Sequence, residues 1–117
     1  MIERDLRCPQ GDSFHFTFTV RSANNGEPGD VVDLTGKTGC GEVRDSLANG
    51  NLVLTFQFNS TEEDLENGIV AMYLPRESTE DVPVGTYFYD IILADNVDSK
   101  TYFKGKFFVI NRITENV

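Results

Sequence analysis

A Pro-x-Gly turn signal that runs straight into the most aromatic and β-branched stretch of the chain, residues 82–93, limits the fold more than any other feature. Pro83 and Gly85 stop whatever precedes them. Beyond them Tyr87, Tyr89, Ile91 and Leu93 fall on one face of an extended strand, while Phe88 and Ile92 reinforce the other. A strand that is apolar on both faces belongs inside its sheet, so this stretch is expected to be the central strand.

A chain of 117 residues fits one domain and buries roughly two-thirds of its unfolded surface. Its apolar share is a modest 39%, but nine Phe and four Tyr concentrate it in side chains that bury roughly 150–250 Å² each. Aromatic packing is therefore expected to dominate the core. Ten Lys and Arg against nineteen Asp and Glu leave a net charge of −9, which repels phosphate backbones and anionic headgroups. Neither nucleic acid nor membrane is an expected partner. No apolar run is long enough to span a bilayer, and residues 1–5 lack a secretory signal pattern, so the chain is expected to be made soluble. Cys8 and Cys40 have no metal-ligand spacing, and with one His in the chain zinc is poorly supported; two free thiols are expected.

Strand patterns recur along the chain. Phe14, Phe16, Phe18 and Val20 alternate with His15, Thr17 and Thr19, as in a half-buried antiparallel strand. Residues 24–30 are dense in turn formers and are expected to be an exposed loop. Over 37–45, Gly39, Gly41 and Val43 share a face, and the two glycines point to a bulge or a close backbone approach. Asn49-Gly50 signals a tight hairpin before Leu52, Leu54, Phe56 and Phe58. Residues 60–68 suit one helical turn, with Ser60 as cap, Glu63 three residues on and Gly68 as terminator. Val70, Met72 and Leu74 form another inward set, as do Phe103, Gly105, Phe107 and Val109. About seven short strands and at most one or two helical turns predict an all-β, Ig-like antiparallel sandwich. The single domain spans 1–117, with terminal arms at 1–9 and 111–117. Gly85-Thr86-Tyr87 matches the tyrosine corner of such sandwiches, in which a Tyr hydroxyl bonds backward to the main chain.

Gly11-Asp12-Ser13-Phe14, Val32-Asp33-Leu34-Thr35-Gly36, Val43-Arg44-Asp45, residues 82–91 and Gly105-Lys106-Phe107 occur in an order and spacing that resemble a family. The resemblance is to the small Ig-like sandwich domains of tailed-phage virion proteins, including the N-terminal module of baseplate upper proteins, and it covers about Gln10 to Val109. It departs at Gly39-Cys40-Gly41, where that family carries bulkier residues. The resemblance implies a noncatalytic structural or adaptor protein of tail, baseplate, neck or capsid, made in the host cytoplasm and residing in the virion. Its partners would be other virion proteins or further copies of itself. It transfers no catalytic residue and implies no cofactor.

Candidate chemistry is sparse. His15 lacks a neighbouring nucleophile or carboxylate and reads as an ordinary exposed His. Asp95, Asn96, Asp98 and Ser99 offer oxygen ligands for Ca²⁺, but a hairpin turn accounts for them better. Glu62, Glu63, Asp64 and Glu66 read as a solvated run, with an acidic docking patch as the alternative. Asn59-Ser60-Thr61 matches a glycosylation acceptor, without a signal peptide to give it meaning. Tyr73, Phe88, Tyr102 and Phe108 lie opposite the inward sets and are the candidate interface residues. A sandwich with exposed aromatics also suits a carbohydrate- or host-surface-binding module, which is the alternative function.

Overall fold

The computed structural model of the protein describes residues 2–24 and 27–113. Its strands are Ile2–Glu3 (β1), Leu6–Pro9 (β2), Phe14–Thr19 (β3), Arg21–Asn24 (β4), Glu27–Val31 (β5), Thr38–Arg44 (β6), Leu52–Phe58 (β7), Ile69–Leu74 (β8), Gly85–Ala94 (β9) and Ser99–Ile110 (β10). Two short helices, Glu62–Glu66 (α1) and Arg76–Thr79 (α2), flank β8. β1 and β2 follow one another along one edge of β10, and from there the sheet runs β9, β6, β7, β8 and β3. β4 and β5 pair separately as a hairpin.

β7 turns this path into a sandwich. Its first part pairs with β6 up to Phe56, whereas Gln57 and Phe58 pair with Tyr73 and Met72 of β8. The sheet therefore folds over at β7, and β3 comes to lie across β10. Phe14 meets Phe107 edge-on at 5.5 Å, Phe16 meets Phe103 at 5.2 Å, and Phe18 lies 4.5 Å from Phe103. Alternation in sequence thus becomes two layers joined by rings. The buried cluster includes Val43, Leu54, Phe56, Val70, Met72, Leu74, Tyr89, Ile91, Leu93, Phe107 and Val109, so the expected all-β sandwich and most of its inward sets are present. Residues 82–93 supply β9, which lies between β10 and β6 as the alternation requires.

Tyr87 forms the predicted corner: its hydroxyl donates to the Pro83 carbonyl at 2.6 Å, closing the turn through which the chain enters β9. Tyr87→Phe should cost roughly 0.5–1.5 kcal/mol, the net worth of an ordinary hydrogen bond, because the Pro83 carbonyl then loses its Tyr donor. Urea unfolding should show a lower midpoint at unchanged m-value; an unchanged midpoint would mean that the bond contributes nothing.

Several local expectations are revised by tertiary context. Residues 2–9 are not a free arm, since β1 and β2 run parallel to β10, with Leu6 and Cys8 in the core. At the other end Arg112 pairs with Asp12, and residues 114–117 lie outside the described residues. The loop expected over 24–30 is in part the end of β4 and in part β5; residues 25–26 also lie outside the described residues. The turn after β6 is wider than a two-residue hairpin. It closes between Asp45 and Asn51, with Asn49 at φ 55°. α1 is capped one residue later than expected, by Thr61 with Asp64 reaching back, and Ser60 instead binds the Ala71 N–H and the Ile69 carbonyl. Leu52, placed inward by pattern, is half exposed at the sheet end.

Gly39 and Gly41 face the core; the atoms nearest a Cβ on Gly39 are side chains, the Asp90 main-chain oxygen would lie 3.3 Å from one on Gly41, and the strand's bulge lies later, between Val43 and Arg44. A Cβ on Gly39 would stand 2.6 Å from the Phe58 ring and 2.7 Å from Met72 Cε, and one on Gly41 would stand 2.9 Å from the Phe56 ring. The missing side chains are thus replaced by large ones from the facing strands. Small residues and rings share one layer of fixed depth.

Candidate functional site

The four candidate interface residues fall in three places. Phe88 on β9 and Phe108 on β10 share the outer face of the larger layer, each partly exposed. Tyr73 sits on the outer face of the smaller layer, where it stacks on His15 at 4.6 Å. Tyr102 leaves the outer set. A register shift between Thr101 and Phe103 turns it toward Phe18, 6.4 Å away, with Lys100 over its ring at 5.0 Å. A bulge of this kind is invisible to a period-two pattern.

Phe88 is the centre of the best-formed surface. Cross-strand register puts Lys106 of β10 and Arg44 of β6 on either side of it, and the next row places Lys104, Asp90 and Glu42 in line. Leu47, in the loop after β6 and 83% exposed, lines a shallow cavity with Phe88 on each side. One cavity, of about 160 Å³, adds Glu42, Arg44 and Asp90, while the other, of about 270 Å³, adds Glu3, Asp5 and Lys106. Arg44 pairs with Glu42 at 2.9 Å and Lys104 with Glu3 at 3.7 Å. Burial, and after it the Glu42 charge, push the Asp90 carboxyl above its ordinary value, with Arg44 opposing. Farther along the face, the Arg7 guanidinium lies 5.1 Å from the centre of the Phe108 ring. Four of the ten cations of an acidic chain, Arg7, Arg44, Lys104 and Lys106, are thus interleaved with two partly exposed aromatics. Alternation places Phe88 and Phe108 on this face. Leu47 and the flanking cations are missed because cross-strand neighbours are far apart in sequence.

Elsewhere the candidates are structural. Asp95 Oδ1 accepts the N–H groups of Asp98 at 2.7 Å and Val97 at 2.8 Å, and Oδ2 meets Lys37 Nζ at 3.1 Å. These bonds, chiefly those from Asp98 and Val97, hold its carboxyl down at about 2. The carboxylate is thus committed to the turn. Among the described residues, no three His, Cys, Asp or Glu side chains are grouped to hold a metal ion. Thr61, of the Asn-Ser-Thr triplet, caps α1, whose acidic side chains are mostly exposed. No described helix is long and apolar enough to cross a membrane.

Both cysteines are free, as expected. Cys8 is fully buried, and that burial, aided by Asp12, pushes its thiol up to about 11, whereas Cys40 is exposed on β6. The thiolate is the reactive form, so a disulfide reagent should consume one thiol per native chain and the second only on unfolding. Rapid consumption of both in native buffer would show that β2 detaches readily.

No family model matches the chain, and no curated protein matches it. Among solved structures, it is similar to a family 123 glycoside hydrolase from Clostridium perfringens at 17% identity and a TM-score of 0.38. That alignment covers 94% of this chain and 23% of the hydrolase, so the chain spans less than a quarter of that protein's length, and a likeness of this strength carries no functional inference.

Proposed function

We propose that this protein is a noncatalytic structural or adaptor component of a tailed-phage particle, in the tail, baseplate, neck or capsid, that works through contacts with other virion proteins. The observation that carries the reading is the outer face centred on Phe88: a partly exposed aromatic between Lys106 and Arg44, with the exposed Leu47 beside it. Interfaces are enriched in aromatic side chains and Arg, and a sheet face holds such side chains in fixed register. The spaced motifs from Gln10 to Val109, which resemble phage Ig-like domains, supply the context. Under this reading neither nucleic acid nor membrane is a partner, and the protein is made in the host cytoplasm.

Proteomics of purified particles should detect the chain, and a Phe88→Ser variant that keeps its circular dichroism should be incorporated at least about tenfold less, as loss of an aromatic anchor predicts. If sensitive proteomics of purified virions never finds the protein, the structural role fails. A carbohydrate- or host-surface-binding role is the second reading. It is favoured by the carboxylates of Asp90 and Glu42 beside the Phe88 ring, which together offer hydrogen-bond acceptors and an apolar platform. Glycan-array binding by the isolated chain that is lost in Asp90→Asn would support that reading instead.

A further inference from the structure

The two edges of the long sheet are built differently. Along β1 and β2 the edge is short and interrupted at Arg4–Asp5, and it carries Glu3, Arg4, Asp5, Arg7 and Pro9. Charges, proline, brevity and interruption are the usual defences against unwanted strand pairing. β3, the other edge, has none of them. Its six residues, Phe-His-Phe-Thr-Phe-Thr, contain no Lys, Arg, Asp, Glu, Pro or Gly, and they pair with β8 without a register shift.

The direction of the free main-chain groups follows from register. Val20 donates its N–H to the Gly68 carbonyl, which extends the β3–β8 register by one pair. Hydrogen-bonded pairs alternate along an antiparallel ladder, so Phe14, Phe16 and Phe18 bond to β8, and the N–H and C=O groups of His15, Thr17 and Thr19 point to the open edge. Among the described residues, these groups have no main-chain partner. All three side chains are exposed, and Phe14 and Phe18 are half-buried.

We infer that β3 pairs antiparallel with β3 of a second copy of this chain, about a two-fold axis through Thr17. Thr17 then faces Thr17 and His15 faces Thr19, using all three sets of free groups. Phe16 comes opposite Phe18, and Phe14 opposite Val20, so each pair sets like against like. Self-complementarity in this register, rather than mere exposure, selects a second copy as the occupant. In a chain of net charge −9, β3 itself brings no Asp, Glu, Lys or Arg to the pairing. The pairing names a partner under the assembly reading and rests on it.

Sedimentation of the full chain from about 1 to about 100 µM, the span over which a modest edge interface dissociates, should show a monomer–dimer equilibrium. Thr17→Pro removes an N–H that faces the edge rather than β8, so this variant should stay folded and monomeric. In a Cys40→Ser background, Thr17→Cys should be joined into a covalent dimer by a short bifunctional thiol reagent, because hydrogen-bonded partners lie about 5.5 Å apart between Cα atoms, within reach of such a bridge. A wild-type chain that is monomeric throughout, or a dimer that Thr17→Cys does not cross-link, overturns the pairing. Should Thr17→Pro not fold, the cross-link decides. A monomeric chain still found in purified particles would sink the pairing and leave the assembly reading standing, whereas a dimer absent from particles would do the reverse.

Discussion

Gly68→Ala should destabilise the protein by roughly 2–4 kcal/mol. The residue ends α1 at φ 73°, where a side chain costs about 1–2 kcal/mol. It also sits where three segments cross. A Cβ there would stand 2.8 Å from the Val20 carbonyl oxygen and 2.9 Å from that of Val32. Those neighbours are main chain and already bonded, Val20 N–H to Gly68 and Val32 N–H to Val20, so they cannot give way cheaply. Overpacking of this kind adds about 1–3 kcal/mol. At about 4 °C per kcal/mol for a domain of this size, the melting temperature should fall by roughly 10 °C or more. A fall of under about 2 °C would mean that the crossing is looser than its distances indicate.

Gly105→Ala should cost a comparable roughly 2–4 kcal/mol for a different reason. Here φ is ordinary and the obstacle is the segment between β1 and β2. A Cβ would overlap the Arg4 carbonyl oxygen and stand 2.7 Å from its carbon. Arg4 is pinned in place: its N–H donates to Lys104, its carbonyl accepts the Tyr89 hydroxyl at 2.6 Å, and the Asp5 carboxylate accepts the Lys106 N–H at 3.0 Å. Displacing the segment breaks these contacts together and uncovers Tyr89. Burial holds the Tyr89 phenol up at about 12, so in the variant it should titrate closer to an ordinary tyrosine. Ultraviolet titration would read this directly, and hydrogen exchange should show residues 2–9 losing protection first. A variant that loses stability while Tyr89 titrates as before would place the damage elsewhere.

Gly105 marks the limit of what a pattern conveys. In sequence it is one inward position of an alternating strand, with nothing to distinguish a small core residue from one pressed by another main chain. Gly39 shows the converse: its pattern pointed to a bulge or an approaching backbone, whereas a ring from β7 and a methionine from β8 press on it, while at Gly41 the Phe56 ring and the Asp90 main-chain oxygen both stand close. Tyr87 was legible because its partner is four residues away. Cys8 was not, because its burial depends on β2 joining β10, about a hundred residues later in the chain.

The candidate site was legible to a similar degree. Phe88 and Phe108 were found because alternation separates two faces of a strand whatever lies beside it. Tyr102 was misplaced by a bulge, and Tyr73 belongs to another layer, since sequence does not show where β7 changes partners.

By itself, then, the sequence determined most of the longer strand segments and most of their inward faces, the corner at Tyr87 and the aromatic character of the core, because each depends on residues within a few positions of one another. Only the tertiary structure decided the strand order, the docking of residues 2–9, the crossing at Gly68, the cations around Phe88 and the contrast between a guarded edge and the open β3. These depend on which strands lie side by side, and strands of similar alternation offer many pairings that local pattern cannot rank.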